Sequence, residues 1–525
     1  MSRVKRLTLV ACIMGSGIVT LDGTVVNVAL PTIQRALGGG LAAQQWVVNG
    51  YLLTLGSLIL IGGSLGDLFG ERRVFALGVS GFGVASLACA IAPSIGTLVA
   101  ARAVQGVAGA LLVPSSLAVI VNTFDEHERG AAIGSWTAWG AMAAVLGPLA
   151  GGELLAIASW RWIFLMNVPF VVACVALIML AIPRAAPRAA GARRVDLPGA
   201  VLCACGLGGP VFALIEQPRL GWSSPAVIVP LAVGVALLVA FMLFEARARE
   251  PMLPLGLFRR RNFAAGNIET FSMYAGLSIL FFFLVLFLQQ IGGYTPLDSG
   301  LATLPVTAIM FVLSRRFGKL ADRYGPRLFM GLGPLVAACG LLLFQRIGVR
   351  VEYASEVLPG LLVFALGLSM TVAPLTAAVL AGAEHQAGIA SGVNNAVARV
   401  AGLLGTAAIG AVVAGSFVAT LDRRLAGAKL GPAARTALSA AKRLPLGRPD
   451  VHALAPAQAR ALSGAANAAS LHSFHFGLAI AAALVAIGGL VGAGGIRNRQ
   501  VNVQAADCAT GQLVGINPEP LETTR

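Results

Sequence analysis

The sequence predicts an all-α polytopic membrane protein with about fourteen transmembrane helices in two related halves. Three observations carry this. Hydrophobic residues make up 57% of the chain and charged residues 11%, against roughly 25% charged in an ordinary soluble domain. Apolar runs of about 20 residues, each long enough as helix to cross a ~30 Å hydrocarbon core, recur along nearly the whole length. The stretch "GSLGDLFGERR" (Gly63 to Arg73) returns as "GKLADRYGPR" (Gly318 to Arg327), so Gly-x-Leu-x-Asp-x-x-Gly followed by basic residues occurs once in each half. Parallel repeats of this kind build many secondary transporters, whose halves rock about a site near the midplane.

Residues 1–183 read as an N-terminal six-helix bundle with spans near 7–30, 45–64, 74–92, 96–121, 131–152 and 162–183. The first apolar run begins after Lys5 and Arg6 and continues to Leu30, longer than the core of about 7–15 residues in a signal peptide. Residues 184–262 form an insert: the arm "RAAPRAAGARR", two extra spans near 197–217 and 226–245, and a basic loop ending "FRRRN". Residues 263–494 read as the C-terminal six-helix bundle, with spans near 263–291, 299–314, 328–346, 357–382, 388–416 and 470–494. A long loop, 417–469, interrupts it, and a tail, 495–525, reads as disordered.

An even number of spans puts both termini on one face. That face holds Lys5, Arg6, Arg72, Arg73, Arg129, the arginines of 184–194, 247–261 and 315–327, then Arg497 and Arg499. The short loops opposite hold only Arg35, Arg161, Arg219, Arg346 and Arg350. By the positive-inside rule the termini are cytoplasmic in a plasma or inner membrane. The loop 417–469 is basic too, but long loops translocate largely regardless of charge, so it is expected outside. The same distribution explains the formal charge of +16 without nucleic acid, which would need one continuous basic face. Cys12, Cys89, Cys174, Cys203, Cys205 and Cys339 lie in apolar spans with no zinc spacing, and His472 and His475 lack further ligands. No metal or other cofactor is expected.

Ionisable residues inside spans are costly and face a cavity or a partner. Asp22 lies about 22 Å from the cytoplasmic start of its helix, too deep for a short carboxylate to reach either surface. Arg102 is about 9 Å from the far end of its span, so that snorkelling and function both remain open. Glu269, about 12 Å deep, and Arg399, about 16 Å deep, are further candidates for proton or substrate contacts. In the repeated loop, Gly63, Gly70, Gly318 and Gly325 permit tight reversal. Asp67 and Asp322, with Arg72, Arg73 and Arg327, can latch one conformation; alternatively the charges only fix orientation. Trp160 and Trp162 read as interfacial anchors.

Together these residues resemble a family, the major facilitator superfamily, and within it the fourteen-helix drug:proton antiporters. The resemblance covers roughly residues 7–494. It rests on "LDGTVVNVALP" (Leu21 to Pro31), the loop "GSLGDLFGERR", "RAVQG" (Arg102 to Gly106), the run from Gly134 to Gly152, "WRWIFLMNVP" (Trp160 to Pro169) and Arg399 in "GVNNAVARVAG". Gly134, Gly147, Pro148, Gly151 and Gly152 match the antiporter signature. Ala143 replaces its second glycine, and Glu71 stands where a basic residue is usual. The resemblance implies a major facilitator fold and export of small amphipathic compounds in exchange for protons, by a monomer surrounded by lipid and without nucleotide. Asp22 would be charged in one conformation and neutral in the other. An importer of a small metabolite and a polytopic membrane enzyme stay as alternatives, although no clustered catalytic set is visible for the latter.

Overall fold

The computed structural model describes residues 2–183, 196–248, 251–381, 387–428 and 430–498, with the side chains of Asp67, Glu126, Ala141, Val145, Leu380, Ala381, Ala387 and Gly388 left out. The arm 184–194 and the tail beyond Asn498 lie outside the described residues, as does the Asp67 side chain. The first half comprises α1 (Arg3–Leu37), α2 (Leu41–Phe69), α3 (Glu71–Ala90), α4 (Ile95–Thr123), α5 (Glu126–Ile157), a single turn α6 (Trp162–Leu165) and α7 (Asn167–Ala181). The insert supplies α8 (Leu197–Leu220) and α9 (Pro225–Arg247). The second half comprises α10 (Arg261–Gln290), α11 (Pro296–Tyr324), α12 (Pro326–Leu343), α13 (Leu358–Ala381), α14 (Ala387–Leu425), α15 (Pro432–Lys442) and α16 (Pro456–Gly495). Among the described residues, 14 helical segments are long and apolar enough to cross a membrane, α6 and α7 counting as one.

Glycine sets the close approaches. A methyl on Gly62 would collide with the Ala110 carbonyl, one on Gly106 with Tyr51 and Thr54, and one on Gly367 with Ala337. Small residues here let backbones touch where lipid offers no hydrophobic drive for association. The two halves meet along α1 with α10, α2 with α14 and α5 with α11. Helices α8 and α9 pack on each other through Gly209 and Gly234. Helix α8 then covers the α2–α14 seam, where Val211 and Ile215 join Leu403 and Ala407, and Trp46 donates to Glu216 at 3.0 Å.

The repeated loop folds alike in both halves. Gly70 joins α2 to α3 at φ 90° and ψ 126°, and Gly325 joins α11 to α12 at φ 86° and ψ 150°. Residues with a Cβ avoid this region.

Two expectations are corrected. The span expected to end at 416 continues as helix to Leu425, and the one expected to begin at 470 begins at Pro456. At 1.5 Å per residue α14 and α16 are each about 60 Å long, twice the hydrocarbon thickness. The segment 417–469 is therefore a helical cap with its own core of Phe417, Leu421, Leu425, Leu462, Ala466 and Ala469. Phe417, Leu421 and Leu425 recur every fourth residue and carry one apolar stripe beyond the membrane. Trp160 is no interfacial anchor: it is 3% exposed and packs edge-to-face on Phe164. Trp162 is 52% exposed.

Gly70→Ala should cost on the order of 1–3 kcal/mol of stability through its backbone alone, because a methyl there meets nothing within 4 Å. Thermal unfolding of purified protein should show a lower midpoint for Gly70→Ala and no loss for Gly134→Ala, which sits in open helix. Equal midpoints would contradict this reading of the loop.

Candidate functional site

Asp22 sits in the middle of α1, and Arg102 and Gln105, three residues apart, share one face of α4. The three meet inside the first half. Asp22 and Arg102 are each 1% exposed. Arg102 Nη1 donates to Asp22 Oδ2 and, at 2.7 Å, to Gln105 Oε1, while its Nε donates to the Val47 carbonyl at 3.2 Å. Gln105 Nε2 and Asn167 Nδ2 each donate to Asp22 Oδ1 at 3.0 Å, and both also reach the Ser86 hydroxyl. Tyr51 lays its ring 4.2 Å from the guanidinium, a cation–π contact within a desolvated site.

This arrangement decides the open question about Arg102: its side chain turns into the bundle and does not snorkel. Buried charges persist only when paired and hydrogen-bonded. Here five elements supply that pairing: α1, α2, α3, α4 and α7. The sequence reading missed Gln105, Asn167, Ser86 and Tyr51. Two of them stood inside quoted motifs, "RAVQG" and "WRWIFLMNVP".

Arg399 lies on α14 with its Cβ close to Gly56 of α2. Among the described residues it has no hydrogen-bond or ion-pair partner. Glu269 is elsewhere. It is 0% exposed, neither carboxyl oxygen has a hydrogen-bond partner among the described residues, and it faces Gly488 and Gly492 of α16, inside the second half. It lies in the second half, apart from the Asp22 network of the first.

The antiporter signature separates into packing and non-packing positions. A methyl on Gly147 would strike Thr24 and lie 3.1 Å from the Leu21 carbonyl oxygen; one on Gly151 would lie 2.9 Å from Val25. Both glycines therefore seat α5 on the turn of α1 that bears Asp22. Gly152 meets Leu297, and Pro148 meets Gly300, both on α11 of the other half. A methyl on Gly134 would meet nothing within 4 Å.

These contacts show which end of the molecule is shut. On the face remote from the termini, Gln34 accepts from Gln44 and, at 3.0 Å, from Gln290. Gln289 donates to the Val28 carbonyl at 2.9 Å, and Gln45 donates to the Thr406 carbonyl at 2.6 Å. Toward the terminal face, Trp139 and Met142 of α5 and Phe311 and Val312 of α11 are exposed. The remote mouth is closed.

In that state the loop arginines brace their own halves. Arg72 donates to the Met179 carbonyl at 3.0 Å, in the last turn of α7, and Arg327 to the Ala493 carbonyl at 2.7 Å, in the last turn of α16. Cations at helix C-termini offset the macrodipole. Gly63 faces Pro114 and Gly318 faces Ala373, each within its half. Asp322 is exposed without a partner among the described residues. The Asp67 member of the expected latch lies outside the described side chains.

A profile of the Major Facilitator Superfamily matches residues 12–406. The chain belongs to this family. Among its relatives in the superfamily, the puromycin resistance protein of Streptomyces alboniger is 39% identical over 418 residues, 79% of this chain and 82% of that one. The multidrug resistance protein Stp of Mycobacterium tuberculosis is 36% identical over 446 residues, 84% of this chain and 81% of that one. The tetracenomycin C resistance and export protein of Streptomyces glaucescens is 34% identical over 417 residues, 78% and 76%. A solved bacterial homolog of the human lysosomal transporter Spinster, inward-facing and unoccupied, shares the fold at TM-score 0.62 and 16% identity, over 94% of this chain and 98% of that one. Superfamily membership and fold point to a polytopic membrane transporter rather than an enzyme.

Removing one partner of a buried pair costs about 3–5 kcal/mol, because the other charge is stranded. Arg102→Ala should therefore unfold at markedly lower temperature or denaturant concentration. Adding Asp22→Asn to it should restore most of the loss, since the neutral amide no longer needs a counter-ion. Additive losses in this double-mutant cycle would contradict the pairing.

Proposed function

We propose that the protein is a proton-coupled exporter of small amphipathic compounds, drugs or secondary metabolites among them, in the plasma membrane with both termini cytoplasmic. It needs no cofactor beyond the proton gradient. The observation that carries the proposal is the sealed Asp22–Arg102 network on the same helix that forms the contacts with α5 and α10. The three relatives, named as resistance or export proteins, support the direction and the class of cargo. The basic residues on the terminal face orient that face to the cytoplasm.

The mechanism follows from what a proton does to this pair. Ionised Asp22 accepts from Arg102, Gln105 and Asn167 at once, and a proton removes the charge that holds the guanidinium. The arginine then has only the Gln105 and Val47 acceptors, so α1 and α4 are free to shift. Gly147 and Gly151 transmit any shift of α1 to α5, and Gln289 transmits it to α10. Proton binding thereby biases the equilibrium between the two openings by its differential free energy in each state. Cargo enters the cytoplasm-facing cleft between α5 and α11, whose exposed aromatic and aliphatic side chains suit amphipathic molecules. Cargo and proton act through α1 and need not touch the same atom, because Asp22 itself is closed off from the cleft. Glu269 takes no part in this exchange.

Inverted membrane vesicles energised by a proton gradient should accumulate a fluorescent lipophilic cation when they contain the protein, and lose it when the gradient is collapsed. Asp22→Asn should abolish uphill accumulation while leaving downhill equilibration, and Glu269→Gln should retain both. Uphill transport intact in Asp22→Asn, or lost in Glu269→Gln, would overturn the assignment.

A further inference from the structure

The cap on the face remote from the termini contains one residue that its conformation does not suit. Leu444, Pro445, Leu446 and Gly447 form a turn closed by a 2.9 Å hydrogen bond from Gly447 N to the Leu444 carbonyl. Proline at the second position and positive φ at the third make a type II turn, whose third position calls for glycine. Leu446 occupies it at φ 61°, the one non-glycine residue with positive φ among those described. Such strain persists only where the surroundings over-determine it. The surroundings are apolar and close: Leu446 is 0% exposed and belongs to the cluster that draws Ile33 and Leu41 from the first half and Phe287 and Ile291 from the second.

The segment belongs to the second half but presses on both. Lys442 pairs with Asp422 at 2.6 Å, tying α15 to α14. Arg448 Nη2 donates at 3.0 Å to the Ile291 carbonyl, just past the end of α10. Across the divide, the Arg443 carbonyl lies so close to Gly40, between α1 and α2, that any side chain at Gly40 would strike it. Directly beneath lies the glutamine layer of Gln34, Gln44 and Gln290. For the remote face to open, α1 and α2 must separate from α10, and Gly40 must leave Arg443.

We propose that residues 443–448 are a peg that holds the remote mouth shut, with Leu446 as its apolar tip, and that release of this peg is a step in opening toward that side. The apolar insertion and the Gly40 contact favour the closed mouth, while the unfavourable backbone of Leu446 opposes it. The peg therefore holds firmly without locking. This inference rests on the reading of the protein as an alternating carrier, and the test separates the two.

Hydrogen–deuterium exchange on the full-length protein in lipid nanodiscs reads both faces at once. Leu446→Gly removes the tip, and Gly40→Ala displaces the peg without altering it. In each, amides of residues 30–44 and 285–293 should exchange about tenfold faster, the change expected for loss of one good contact. Amides on the terminal side of α5 and α11 should exchange more slowly, as that cleft closes in compensation. The reciprocal slowing distinguishes a shifted equilibrium from local loosening. Faster exchange confined to 443–448, or with no slowing at the terminal face, would overturn the peg. Asp22→Asn serves as the reference for alternation itself. A reciprocal change in Asp22→Asn but not in the peg variants rejects the peg alone, and none in any of the three rejects the carrier reading beneath it.

Discussion

The buried ion pair between Asp22 and Arg102 is the constraint around which the first half is arranged. Two charges removed from water in a membrane interior are tolerated only with near-complete hydrogen bonding. The bundle meets that demand by drawing in Gln105, Asn167, Ser86 and the Val47 carbonyl, and by placing the Tyr51 ring against the guanidinium. A pair of this kind is a poor source of stability compared with an apolar core of equal volume. Its retention makes sense where one partner gains and loses a proton. The same low dielectric that makes the pair expensive makes its protonation state a large signal.

That signal has a mechanical route because small residues bring α1 into backbone contact with its neighbours. Gly147 and Gly151 fix α5 to the turns on either side of Asp22, while Pro148 and Gly152 carry α5 onto α11 across the divide. On the other flank, Asn49 and Gln45 of α2 meet Thr406 of α14, and α8 lies across that seam. One interface between the halves is thus braced by α8, whereas the other carries exposed apolar side chains toward the terminal face.

Much of the fold was legible in the sequence because each span must satisfy its own backbone hydrogen bonds and bury an apolar surface in lipid, which leaves a run of fixed length. The repeated loop gave away the two halves because a glycine at φ near 90° has few substitutes. The cap was not legible: beyond residue 416 the mean hydropathy falls, and a stripe of three residues at every fourth position does not stand out against alanine and arginine. The site was legible in its charged members and hidden in its neutral ones. Asp22 and Arg102 declare themselves by the cost of burial, but Gln105, Asn167 and Ser86 carry no such cost until the fold brings them together. Depth was readable for Glu269, direction was not, since residue count gives the height on a helix and only packing gives the face. Leu446 was invisible for a related reason, because a strained φ is a property of surroundings that local sequence does not contain.

We propose that Asp22 is the acid that couples cargo to protons. It is tested most directly by following proton release from purified, weakly buffered protein when cargo is added. The account predicts release from the wild-type protein, none from Asp22→Asn, and undiminished release from Glu269→Gln. Undiminished release from Asp22→Asn would contradict it and place the coupling acid elsewhere.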